Sequence, residues 1–208
     1  CTLVPTRAPA REVEDESAPA ESSLQIDRLG EDSEIVIEHS ILGPIVVEDQ
    51  GEPLPICIAD SILDALDERA RALWTGRDGF EVAAHVALQI RRTTVFGEIH
   101  AHIVDLAEDA IFAGCVHVEL RQRGCMRFCS IHCGEATPRR FHCQPDQAIA
   151  DAGAGGNAEA QRSIALHVQP IFASRRYGDP EYARLADHCD PAILRGAHDE
   201  SEMGVFHD

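Results

Sequence analysis

The feature that most constrains this chain is a motif that returns along it. Ile35-x-Ile37-x-x-Ser40-Ile41-Leu42-Gly43 recurs as Ile56-x-Ile58-x-x-Ser61-Ile62-Leu63-Asp64. With one residue inserted it reads Leu88-x-Ile90-x-x-x-Thr94-Val95-Phe96-Gly97, and again Val104-x-Leu106-x-x-x-Ala110-Ile111-Phe112-Ala113. Stacked repeats produce such a recurrence, because one coil cannot bury its own apolar face whereas neighbouring coils share a core and pair their backbones. A further alternating run follows Gly43, Gly97 and Gly114: Ile45 and Val47, then Ile99, Ala101 and Ile103, then Val116, Val118 and Leu120. Each coil thus carries at least two strands. Setting aside the excursion from Leu66 to Ala87 leaves coils of about 20 residues, the length of β-solenoid repeats. Small residues at Ser40, Ser61, Thr94 and Ala110 are expected at a tight corner or an internal polar ladder. An antiparallel β-sandwich is the rival, since its short strands also come every 8 to 12 residues or about that. It gives no reason for a motif, as opposed to a period, to recur.

The expected architecture is therefore all-β: a β-solenoid over residues 1–131, with loops at 5–33 and 66–87, followed by a C-terminal cap and tail over 132–208. The first loop carries Glu12, Glu14, Asp15, Glu16 and Glu21 among Pro9 and Pro19. Leu66, Ala70, Leu73 and Trp74 fall at helical spacing, so a short helix is expected from Leu66 to Trp74. The Gly-rich run Asp151–Asn157 reads as a loop, and Ile164, Leu166 and Val168 alternate like a strand. Asp179-Pro180 offers an N-cap and Pro at the first helical position, so a helix of about ten residues is expected before Cys189. A second turn is expected from Pro191 to Leu194, stopping at Gly196. The strand-like Thr2-Leu3-Val4 directly after Cys1 suggests the tail of a longer polypeptide.

Charge narrows the partners. The chain carries 36 acidic residues against 18 basic ones, all arginine, for a formal net charge of -18. Such a surface repels polyanions, so nucleic acid and anionic membrane are not expected partners. No apolar stretch approaches the roughly 18 to 20 residues that span a bilayer.

The runs Glu38-His-Ser-Ile-Leu-Gly-Pro44, Ala59-Asp-Ser-Ile-Leu-Asp-Ala65, Gly124-Cys-Met-Arg-Phe128, Thr137-Pro-Arg-Arg-Phe-His-Cys-Gln-Pro145, Arg176-Tyr-Gly-Asp-Pro180 and Ser201-Glu-Met-Gly204 carry a resemblance. They are similar to the C-terminal part of a family of large bacterial right-handed parallel β-helix proteins associated with loci for phage-tail-like contractile particles. The resemblance covers nearly the whole chain. It implies a right-handed parallel β-helix with a C-terminal capping segment containing a short helix. It also implies protein partners in a larger assembly, or the rest of the same chain, and a cytoplasmic or particle-associated setting. The family has no established activity, so no catalytic residue is transferred. The sequence departs from the family pattern at Cys129, at Cys133 and in the insertion at 66–87.

Of eight cysteines, Cys125, Cys129, Cys133 and Cys143 lie close together with His132 and His142 beside them. They are candidate ligands for a zinc ion, which takes about four S or N donors. The spacing is wrong for a tight knuckle, and in an extended strand Cys125 and Cys129 stand about 13 Å apart on one face. A Cys133–Cys143 disulfide is the alternative in an oxidising compartment, and plain filling of solenoid corners is the simplest reading. Asp60, Asp64, Arg91, Arg92, Glu98, Asp105, Glu108 and Asp109 are candidates for an outer carboxylate and arginine face of the kind that polysaccharide lyases and glycoside hydrolases use. Acids near turns are ordinary in so acidic a chain. Among the 11 histidines, His100 and His102 share one strand face. The basic run Arg121, Arg123, Arg127, Arg139 and Arg140, with Phe128 and Phe141, is either an anion or partner docking site or a set of local ion pairs. The expected function is a non-catalytic structural β-solenoid element of a larger protein, with no cofactor. A polysaccharide-binding or polysaccharide-cleaving module is the alternative.

Overall fold

The structure is a computed structural model that describes residues 2–3, 22–27, 30, 33–48, 51–75, 83–133 and 136–207. The acid-rich stretch from Glu12 to Glu21 and most of the later half of the 66–87 excursion lie outside them.

The strands in chain order are β1 (Thr2–Leu3), β2 (Leu24–Ile26), β3 (Ile35–Glu38), β4 (Ile41–Leu42), β5 (Ile45–Val47), β6 (Leu54–Ala59), β7 (Ile62–Asp64) and β8 (Arg71–Trp74). They continue as β9 (Ala84–Arg91), β10 (Thr94–Phe96), β11 (Glu98–Glu108), β12 (Ile111–Phe112), β13 (Val116–Val118), β14 (Cys125–Arg127), β15 (Ser130–Ile131) and β16 (Arg139–Phe141). Among the described residues three helices follow: α1 (Asp146–Asp151), α2 (Ala158–His167) and α3 (Pro191–Leu194). No helix among the described residues is long and apolar enough to cross a membrane.

Every pairing between named strands is parallel, and strands pair with the equivalent strand of another repeat, not with their chain neighbours. Three ladders result. The first runs β3, β6, β9, the later half of β11, β14 and β16; the second runs β1, β4, β7, β10, β12 and β15; the third runs β2, β5, β8, the start of β11 and β13. The strand β11 turns the sheet on itself by belonging to two ladders at once. The molecule is thus mostly a curled parallel sheet with few helices. The first ladder extends through β16, beyond residue 131.

Stacking in register lines like side chains up into columns. Leu42, Leu63, Val95, Phe112 and Ile131 occupy one level of the second ladder, each at most 3% exposed. Leu24, Ile45, Leu73, Ile99 and Val116 form the matching column of the third ladder. In the first, Ile56 stacks on Leu88 and Ile58 on Ile90. These columns make one core, and removing each large aliphatic side chain from water contributes about 1.5 to 3 kcal/mol.

The corner between the first and second ladders repeats at residue level. His39, Asp60, Arg92, Asp109, Phe128 and His142 all have φ between 44 and 52, the left-handed region. Except after Asp109, where Ala110 follows, the next residue closes the turn by donating to the carbonyl two positions back: Ser40 to Glu38 at 2.8 Å, Ser61 to Ala59 at 2.6 Å, Thr93 to Arg91 at 2.7 Å and Cys129 to Arg127 at 3.2 Å. Cys143 repeats the contact to Phe141 at 3.6 Å. Backbone bonds continue through the corner, as from Asp60 to Arg91 and from Thr94 to Ser61.

The expected corner residue Thr94 is therefore corrected to Thr93, and the inserted residue disappears. Ile62 pairs with Thr94, and Thr94 with Ile111, so a threonine occupies a position that is isoleucine elsewhere. Its hydroxyl accepts from the Val205 amide at 3.2 Å, which explains the exchange.

Three elements differ from expectation. From Leu66 to Trp74 there is no helix: Leu66 has φ 66, and Arg71–Trp74 joins the third ladder. Ile164, Leu166 and Val168 do not form a strand: the first two lie in the helix α2 and Val168 is its C-cap. The helix has a run of Ala, Glu, Gln and Arg that favours it and an Asn157 cap that accepts from Ala160 at 3.1 Å. The segment after Pro180 is not helical, since Ala183 has φ 61 and Tyr182 and Leu185 bridge back to Ser174 and Phe172. The short helix at Pro191–Leu194 is present, capped by Asp190.

This C-terminal segment lies along the outer side of the second ladder. Val168, Leu185, Cys189, Ile193 and Met203 pack on Ile111, while Tyr182 and Ala183 pack on Ile62 and Phe96. Gly204 sits so close that an added Cβ would stand 2.6 Å from Thr94 Oγ1.

Candidate functional site

The six cysteine and histidine candidates do not converge on one point. Cys115, not Cys143, is the disulfide partner of Cys133, with Cα atoms 4.5 Å apart; the alternative Cys133–Cys143 bridge does not form, because residues 115 and 133 flank neighbouring rungs. Val116 donates to the Cys133 carbonyl. Cys129 and Cys143 are buried one above the other in the corner column, and burial pushes the Cys129 thiol up. Cys125 is half-buried on β14. His132 meets Ser130 Oγ at 3.1 Å and burial draws its pKa down, while His142 stacks on Phe128 at 5.4 Å. Among the described residues, no three of these six lie within mutual ligand distance.

The carboxylates and arginines are spread around the stack and paired. Arg92 makes a two-pronged contact with Asp60, and that hydrogen bond holds the Asp60 carboxyl below its ordinary value. Arg123 meets Asp105 at 2.9 Å, and Arg127 meets Glu108 at 2.6 Å. Arg140 meets Asp146 at 3.4 Å and Thr137 at 2.9 Å. Arg91 lies 4.0 Å from Glu108. Much of the basic run is thus local pairing. His100 contacts Glu98 at 3.0 Å and stacks on His117 at 4.6 Å, and His102 pairs with Glu119 and packs edge-on to His85.

One cleft concentrates charge. About 410 Å³ in volume, it is lined by Asp64, Leu66, Asp67, Glu68, Arg69, Phe96 and Arg175, at the turn after β7 where the C-terminal segment crosses. Asp64 is 3% exposed and accepts from the Leu66 amide at 2.7 Å and from the Tyr182 hydroxyl. Burial, then that bond, raises the Tyr182 pKa, so the phenol stays a donor. Asp67 accepts from the Arg69 amide at 2.8 Å. Arg175 pairs with Glu68 at 2.6 Å and lies 4.7 Å over the Phe96 ring.

A second cluster joins the corner to the chain end. Asp109 Oδ1 accepts from the His198 amide at 2.9 Å, and Oδ2 meets His198 Nδ1 at 2.7 Å. That contact raises the His198 pKa. His207 stacks near His198 at 5.8 Å. Neither this cluster nor the role of Arg175 and Tyr182 has a local signal in the sequence: the partners are 89 residues apart for Asp109 and His198 and 118 for Asp64 and Tyr182. Comparison with known proteins found no family model, no curated protein and no solved structure that matches this chain.

Proposed function

We propose that this chain is a non-catalytic structural element, a right-handed parallel β-helix serving a larger protein or particle. Right-handed winding is the hand that parallel crossover connections almost always take. The single observation that carries the structural reading is the state of the outward charges: the acids and arginines of successive rungs bind one another, so they brace the stack. Asp60 with Arg92 and Glu108 with Arg127 are examples. The strand β3 at one end and β16 at the other each have a single named neighbour among the described residues, and Val36 and Phe141 on them are 57% and 58% exposed. Such edges suit stacking on the rest of the chain or on a protein partner. The resemblance described above supplies the particle context.

The experiment is sedimentation of a native lysate, with the chain followed by mass spectrometry. Travel with large sheath-and-tube assemblies supports the proposal, and migration as a monomer or small oligomer contradicts it.

A second reading rests on the charged cleft, whose size falls within the range of about 300 to 1,000 Å³ common for ligand sites. Its carboxylates and the Arg175 guanidinium over the Phe96 ring fit a sugar-binding module. Their mutual pairing makes this the weaker of the two, and cleavage or binding across a panel of polysaccharides would reverse that order.

A further inference from the structure

The last residues of the described chain converge on one corner, where bracing a stack does not call for histidine. Asp109 is left-handed at φ 52 and its side chain is 2% exposed. Its carbonyl accepts from the Gly204 amide at 2.8 Å, and its carboxylate is held by His198. The His207 side chain, 10% exposed, folds back under the same point. One ligand atom from each of Asp109, His198 and His207 lies within 4.8 Å of the other two.

Two imidazoles and a carboxylate form the donor set of a borderline divalent transition metal. Calcium and magnesium prefer six or more oxygens. In a tetrahedral zinc site with bonds of about 2.0 to 2.2 Å, donors stand about 3.3 to 3.5 Å apart. Asp109 and His198 are already closer than that. The two imidazole rings lie nearly parallel with centroids 5.8 Å apart, so coordination requires one of them to turn, and His198, 49% exposed, has room to do so. His207 now contacts Ser201 Oγ at 2.9 Å, the Glu202 carbonyl at 3.2 Å and Asp199 at 3.3 Å, and coordination exchanges one of these for the metal. Asp60, Glu108 and Asp199 face the two imidazoles and favour a cation, while Arg92 faces Asp109 and opposes it.

We propose that Asp109, His198 and His207 form a zinc-class metal site with its fourth position open to water, tying the chain end to the corner of the stack. Among the described residues, the other ligand group by geometry, Glu98, Cys115 and His117, loses its sulfur to the disulfide. The proposal stands on these three residues alone and is independent of the structural role.

The test is calorimetric titration of the whole chain with zinc chloride, with cobalt absorption as a second readout. One site is expected, and it is expected to be lost in H198A/H207A, which leaves a single protein ligand, with the far-ultraviolet circular dichroism unchanged. His207→Gln retains a side-chain hydrogen-bonding group, serves if the double variant fails to fold, and is expected to weaken the site as well. The variant H100A/H117A is expected to keep it. Absence of binding, unchanged affinity in His207→Gln, or loss of the site in H100A/H117A would each overturn the assignment.

Discussion

Left-handed backbone at His39, Asp60, Arg92, Asp109, Phe128 and His142 costs about 1 kcal/mol per residue away from glycine. Except after Asp109, where Ala110 follows, the hydroxyl or thiol of the next residue offsets it by capturing the carbonyl across the turn, for a net gain on the order of 1 kcal/mol. The polar residue in the corner is therefore the lock on the turn, and the residue before it is free to vary. At Asp60 the varying residue also binds Arg92. Because the folded carboxyl lies below its ordinary value of about 3.9, this contribution is fully present above that value and lost as pH falls through the folded one. Urea melts of Asp60→Asn should show a deficit of about 0.5 to 1 kcal/mol, constant above about pH 5 and vanishing on acidification. The pair is partly exposed, which keeps the figure small. Glycine is required at fewer places: Gly124 has φ 80, and a Cβ there would collide with the Val104 carbonyl. Gly124→Ala should cost about 2 kcal/mol or more in denaturant melts. Gly153→Ala, also left-handed but with nothing within 4 Å, should cost about 1 kcal/mol.

Between elements, the C-terminal segment gains its place by covering isoleucines that the sheet would otherwise show to water. Ile62, Phe96 and Ile111 belong to successive rungs of the second ladder, so the segment clamps rungs together. Tyr182 is its buried anchor, since its hydroxyl fills one oxygen of Asp64. Tyr182→Phe leaves that oxygen unmatched and should lower stability by about 1 to 3 kcal/mol, read by thermal or urea melts. How much of this was legible follows from range. The columns were readable because stacking repeats the same apolar residues at the same step, and Pro191–Leu194 was readable because its cap lies next to it. Thr94 misled because Val95-Phe96 resembles Ile62-Leu63 as an apolar pair, whereas Thr94 holds the isoleucine position and serves the Val205 amide. The helix at Ala158–His167 was masked by a chance alternation of Ile164, Leu166 and Val168, although Leu166 is 69% exposed and nothing packs that alternation into a sheet. The cleft and the Asp109 cluster were invisible because each joins residues that only folding brings together.

For the whole molecule, a net charge of -18 is compatible with a tight stack because charges of opposite sign are placed on neighbouring rungs. That arrangement needs one register throughout, since a slip of one residue turns every apolar column outward. The register is tested most directly by linking it covalently. The Ser40 amide donates to Ser61 Oγ at 3.1 Å, so the two corner residues are immediate neighbours in the stack. Mild oxidation of S40C/S61C should give an intramolecular disulfide between positions 40 and 61, seen by non-reducing peptide mapping, with the melting temperature held or raised. Pairing of either cysteine with one from a non-adjacent rung of the folded chain, in place of the 40–61 link, would contradict the stacked register.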